Sequence, residues 1–173
     1  MAKENVVLDA DVEVKIGNQA WKGKLSDIAR IELKNLNGEL ARQPELVSWF
    51  GVMSVEAVDV VESTKNKLAA LKEDQETLYA DLDLLMRQES TTTGKKTTEA
   101  EVKSLVSAHT RYKASIKEIQ NKREELRMAS VVLNKMNKIL IALEHKRDML
   151  IQLSANQRRE FITGDYGHEG GSH

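Results

Sequence analysis

Between Arg111 and Arg159 the chain sets twelve lysine and arginine side chains against five acidic ones. The twelve are Arg111, Lys113, Lys117, Lys122, Arg123, Arg127, Lys135, Lys138, Lys146, Arg147, Arg158 and Arg159. Cations recurring along one helix can track a phosphate backbone, releasing its counterions and making affinity fall steeply with salt. Lys95 and Lys96 add two charges just before that helix, and Arg87 a third. Non-specific single-strand binders also stack bases on aromatic rings. Here the candidates are Trp21, Trp49, Tyr79 and Tyr112, of which Trp49 and Tyr112 are better placed for packing. The alternative reading is a solvated helix face whose cations pair with the acidic first half of the chain. Residues 1–93 carry 11 basic against 17 acidic side chains, and residues 94–173 carry 15 against 10.

Other chemistries find no support. There is no cysteine, which removes disulfides, thiolate metal sites and a thiol nucleophile together. Gly94-Lys95 is followed by Lys96 and lacks the upstream glycine of a phosphate-cradling loop. His109 falls on a helix seam, His145 among surface charges, and His168 and His173 near the end of the chain. No serine or threonine stands at a motif spacing from a base. The expectation is a non-enzyme with no catalytic residue, no metal and no cofactor.

The elements that must carry the cations follow from composition and period. Of 173 residues, 31% are charged and 4% aromatic, with one proline. Aromatic rings are too few to anchor a broad core, whereas charges interleaved with aliphatics describe long amphipathic helices. The predicted fold class is mainly α: a long antiparallel, coiled-coil-like helical hairpin with a small N-terminal β element. Residues 1–34 are expected to form that element. Asp11 to Ile16 alternates strictly, Gly17-Asn18 offers a turn, Gln19 to Lys22 a return strand, and Ala29, Ile31 and Leu33 a third. Residues 35–163 are read as the hairpin, which both oligomerises and binds, and residues 164–173 as a mobile tail.

Asn35 is suited to cap a short helix over 36–42, and Pro44 to open the next, running to about Glu89. A 3-4 seam passes through Val47, Phe50, Ala57, Val61, Leu68, Leu71, Leu78, Leu82 and Leu85, with Trp49 beside it. Ser90 to Thr97 breaks the pattern, and Thr98 with Glu101 forms a capping box for a second helix. Its seam is Val102, Leu105, His109, Tyr112, Ile116, Ile119, Arg123, Leu126, Leu133, Met136, Leu140, Leu143, Arg147 and Leu150, with a bend expected near 130–136. Val106, Val132, Ile139, Ile141, Met149 and Ile151 fall off it. A two-helix hairpin cannot cover that second stripe, so self-association is expected. No apolar run approaches the ~20 residues of a membrane span, and no secretory signal is visible at Met1 to Asn5. The expected location is cytoplasmic.

Three stretches carry a resemblance: Gln43 to Phe50 with the helix ending Leu78 to Asp83; Thr98 to Lys103; and Ala142 to Leu153 with Arg158, Arg159 and Glu160. In this order they resemble the UvsY family of bacteriophage recombination mediators, over roughly residues 43–162. The resemblance implies a ring-like homo-oligomer that binds single-stranded DNA and helps a RecA-like recombinase displace single-strand-binding protein, in the bacterial host cytoplasm. It departs from the family where a Lys and an Arg are replaced by Tyr79 and Asp81. On this reading the nucleic-acid-binding residues are Arg87, Lys95, Lys96, Lys138, Lys146, Arg147, Arg158 and Arg159. The rival expectation is an oligomeric helical scaffold or adaptor, an assembly chaperone or anti-defence protein, without nucleic-acid binding.

Overall fold

The structure is a computed structural model and describes residues 11–16, 19–92, 94 and 97–165. In chain order the elements are strands β1 (Asp11–Ile16) and β2 (Gln19–Lys24), helix α1 (Leu25–Ala29) and a 3-10 turn (Leu33–Asn35). Helices α2 (Leu36–Thr92), α3 (Glu99–Ala108) and α4 (Thr110–Asp165) follow. The chain is mainly helical with one small antiparallel sheet. It divides into two compact units, one of Met1–Ala57 with Val132–His173 and one of Val58–Val131.

In the first unit β1 and β2 pair antiparallel, with Glu13 opposite Lys22 and Val14 opposite Trp21. Alternation sends Val12, Val14 and Ile16 to one face, where all three are buried, and leaves Glu13 and Lys15 exposed. The buried face rests on Phe50, Met53 and Ala57 of α2 and on Met136, Ile139 and Leu143 of α4. A two-stranded hairpin is marginal in water, so this contact is what stabilises it. Trp21 stands edge-on to Phe50 at 5.5 Å, and Lys135 Nζ donates to the Glu13 carbonyl at 3.3 Å. The predicted Gly17-Asn18 turn lies outside the described residues.

Two expectations are corrected here. The third strand does not form: Leu25 and Ile28, one helical turn apart, pack on the core from α1, while Leu33 is 65% exposed. Nor does a new helix begin at Pro44, because α2 runs unbroken from Leu36 and contains that proline. The ring removes the donor that would have bonded the Leu40 carbonyl. Burial of Leu36 before it and Phe50 and Met53 after it outweighs that loss. Asn35 does act at the start of α2, its Oδ1 accepting from the Gly38 N–H at 3.2 Å.

The second unit is an antiparallel helical hairpin. Leu82 packs with Val102 and Val106, Tyr79 meets Tyr112 edge-on at 5.7 Å, and Gln75 Nε2 donates to Ser115 Oγ at 3.3 Å. Partners thus advance in opposite directions along the two stretches. The capping box forms as expected: Thr98 Oγ1 accepts from the Glu101 N–H, and Glu101 Oε2 from the Thr98 N–H. The predicted single second helix is instead two. His109 leaves the helical region at φ −65°, ψ 135°, its N–H donating to Val106 O and its Nδ1 accepting from the Arg111 N–H at 3.2 Å. A histidine acceptor here satisfies an otherwise open N–H of the new helix. Residues 130–136, where a bend was expected, are helical throughout. Gly164 and Asp165, assigned to the tail, close α4, and the rest of the predicted tail lies outside the described residues.

Candidate nucleic-acid interface

Within the second unit, α4 carries Arg111, Lys113, Lys117 and Arg123, all exposed. Opposite them α2 carries five acids and no cation over residues 73–83. Yet among the described residues no ion pair joins α2 to α4 in this unit. The contacts between the two helices are instead uncharged: the tyrosine pair, Gln75–Ser115 and the Leu82 cluster. The ion pairs that do form are local. Lys122 meets Glu125 and Arg127 meets Glu124, each at 2.6 Å, and Arg87 meets Asp83 at 2.6 Å. The hydrogen bond from Arg127 holds the Glu124 carboxyl below the usual carboxylate range. Asp83 likewise raises the Arg87 guanidinium above its ordinary value. Arg87 is therefore engaged with its own helix, although more than half exposed.

In the first unit Lys138 and Arg158 are exposed and make no ion pair among the described residues. Arg147 is exposed and bonds the neighbouring Asp148 at 3.1 Å, and Arg159 is exposed. Lys146 corrects the sequence reading. Its side chain is 5% exposed and its Nζ lies 2.7 Å from Glu39 Oε2, so it is a buried structural cation rather than a surface ligand. Beside it Gln43 Nε2 donates to the Leu143 carbonyl at 2.6 Å, while Gln43 Oε1 is buried with no partner among the described residues. Lys95 and Lys96 lie outside the described residues.

The packing set divides in the same way. Leu82, Ile119, Leu143 and Leu150 are buried, and Leu71, Leu78, Tyr112, Leu133 and Leu140 half-buried. Trp49, Leu85, Leu105 and Ile116 are exposed, against expectation. The seam is displaced by one residue in three cases, Met86 for Leu85, Val106 for Leu105 and Ser115 for Ile116, while beside Trp49 it is the expected seam residue Phe50 that is buried. The same displacement puts Lys146, not Arg147, inside. Ile139 and Val106, read as a second stripe, are core, whereas Ile141, Met149 and Ile151 of that stripe are exposed.

Among the described residues no cluster of three or more metal-ligating side chains occurs, and no helix is long and apolar enough to cross a membrane. No protein-family model matches the chain, and no curated protein or solved structure is significantly similar to it.

Proposed function

We propose that the chain is a self-associating, non-enzymatic protein that binds single-stranded DNA through the cations of α4 and acts as a recombination mediator. In that role it helps a RecA-like recombinase take over strands from single-strand-binding protein. One observation carries the DNA-binding part: the α4 cations of the second unit are not neutralised by the acidic stretch of α2 beside them. That weakens the alternative in which the basic residues exist to pair with the first helix. The mediator role rests on the UvsY resemblance of residues 43–162. Lys113, Lys117 and Arg123 belong with the binding residues on this reading, and Lys146 does not.

The test is a titration of a fluorescent oligothymidine at several salt concentrations. Each phosphate contact on a single strand contributes about 0.7 to the slope of log affinity against log salt. Lys113→Glu with Lys117→Glu should lower that slope by about 1.4, a loss of roughly fifteenfold at ~0.15 M salt. Absence of binding at low salt, or an unchanged slope in the variant, refutes the proposal. A mediator should also accelerate recombinase filament formation on strands coated with single-strand-binding protein. The rival scaffold reading draws on exposed aliphatics such as Val52 and Val55 of α2 and Met149 and Ile151 of α4. It predicts self-association with no strand binding.

A further inference from the structure

The second unit contains a groove of about 350 Å³ between α2 and α4. Leu71, Leu78 and Ala114 supply its apolar lining, and Asp74, Arg111 and Glu118 its charges. Leu71, Leu78 and Leu85 recur every seven residues on α2, so Leu85, 43% exposed, extends the same apolar edge beyond the groove. Asp74 and Asp81 stand between these leucines at the intervening 3-4 positions. Neither acid makes an ion pair among the described residues, and neither does Arg111.

We infer that this groove is the docking surface for a second copy of the chain, with Arg111 of each copy meeting Asp74 of the other. The inference rests on the self-association in the reading above and assigns it a place. A leucine edge interrupted by acids is a poor seam by itself, because burying an unpaired carboxylate is costly. It becomes a good one when the facing surface brings a cation. The groove holds Asp74 on its α2 wall and Arg111 on its α4 wall, unpaired with each other, with Glu118 a second acid on the α4 wall. A two-fold axis through such a surface can set Arg111 against Asp74 twice over. A phosphate backbone is a worse occupant, since Asp74, Asp81 and Glu118 would repel it.

The experiment is sedimentation equilibrium of the full chain over a roughly hundredfold concentration range, since association responds to protomer concentration. Helix content is checked by circular dichroism. Asp74→Arg alone and Arg111→Asp alone should each weaken association by about tenfold or more, because each places like charges in contact. An equimolar mixture of the two variants should recover association to within about threefold of wild type, since each copy then meets its complement. Recovery on mixing is specific to contact between chains, because a charge change acting within one chain is unaffected by a partner. Wild-type association that neither single variant weakens overturns the groove as the surface and leaves self-association standing. Failure of the mixture to recover does the same. A wild-type chain that stays monomeric throughout overturns both.

Discussion

Replacing Lys146 by methionine separates the structural role of this residue from a binding role. At 2.7 Å and an effective dielectric constant near 20, the attraction between its ammonium and Glu39 amounts to about 6 kcal/mol. Most of that is offset by the cost of taking the ammonium, 5% exposed, out of water. Loss of one partner from a fully buried pair typically costs about 3–5 kcal/mol. Glu39 keeps 21% of its side chain in solvent and can rehydrate when Lys146 is removed. The expected destabilisation for Lys146→Met is therefore lower, about 2–3 kcal/mol. Adding Glu39→Leu removes the stranded carboxylate and should bring stability back to within about 1 kcal/mol of wild type. Urea denaturation of the wild type, both single variants and the double variant closes the cycle, with an expected coupling of about 2 kcal/mol or more. The salt slope of strand binding should be unchanged in Lys146→Met. A coupling under about 0.5 kcal/mol, or a lowered salt slope with stability intact, would refute the assignment of Lys146 to the interior.

Ile139 and Ile141 are the same side chain two positions apart, fully buried and 47% exposed respectively. Ile139→Ala should cost about 2–5 kcal/mol in denaturant unfolding and Ile141→Ala no more than about 0.5. Gln43→Met removes a buried donor together with an acceptor that has no partner among the described residues, so stability should stay within about 1 kcal/mol of wild type. A much larger loss in calorimetry would point to a partner for Gln43 Oε1 that the described residues do not contain. Glu124 has a depressed folded-state pKa, so its contribution is present above the ordinary glutamate range and disappears as pH falls through the depressed value. Glu124→Gln should therefore lower the melting temperature slightly at neutral pH, and the difference should vanish in acid.

The helical class, the antiparallel hairpin of the second unit and the β1–β2 pair were all legible in the sequence, because each rests on a local period. Thr98 and Glu101 were legible for the same reason: a capping box is complete within four residues. What period could not settle was which of two adjacent apolar residues turns inward. Leu105-Val106 and Leu85-Met86 both offer two choices, and the structure takes the one the 3-4 count passes over. Leucine is the stronger hydrophobe, but Val106 is what meets Leu82 across the hairpin. Lys146 was misread through the same one-residue step, compounded by a rule that lysine stays outside. Its acid, Glu39, lies more than a hundred residues earlier, and no local pattern announces the pair. Pro44 misled in the opposite sense, because a local signal to begin a helix lost to burial on both sides of it. The cations of the second unit were visible by type and spacing. That they go unpaired with α2 was not, because it depends on the uncharged contacts of Tyr79, Gln75 and Leu82 that join the two helices.

The kink at His109 matters for how the hairpin tip behaves. With its backbone out of the helical region, the residue divides what would be one ladder of amide bonds into two. The rungs of α4 begin afresh there, the Lys113 N–H bonding to the His109 carbonyl. Fraying that starts at Glu99 can consume the ten residues of α3 and then meet a firebreak, since no rung continues across it. Amide protons up to Ala108 should therefore trade with solvent as one fast group, while those from Lys113 onward keep their own slower clock.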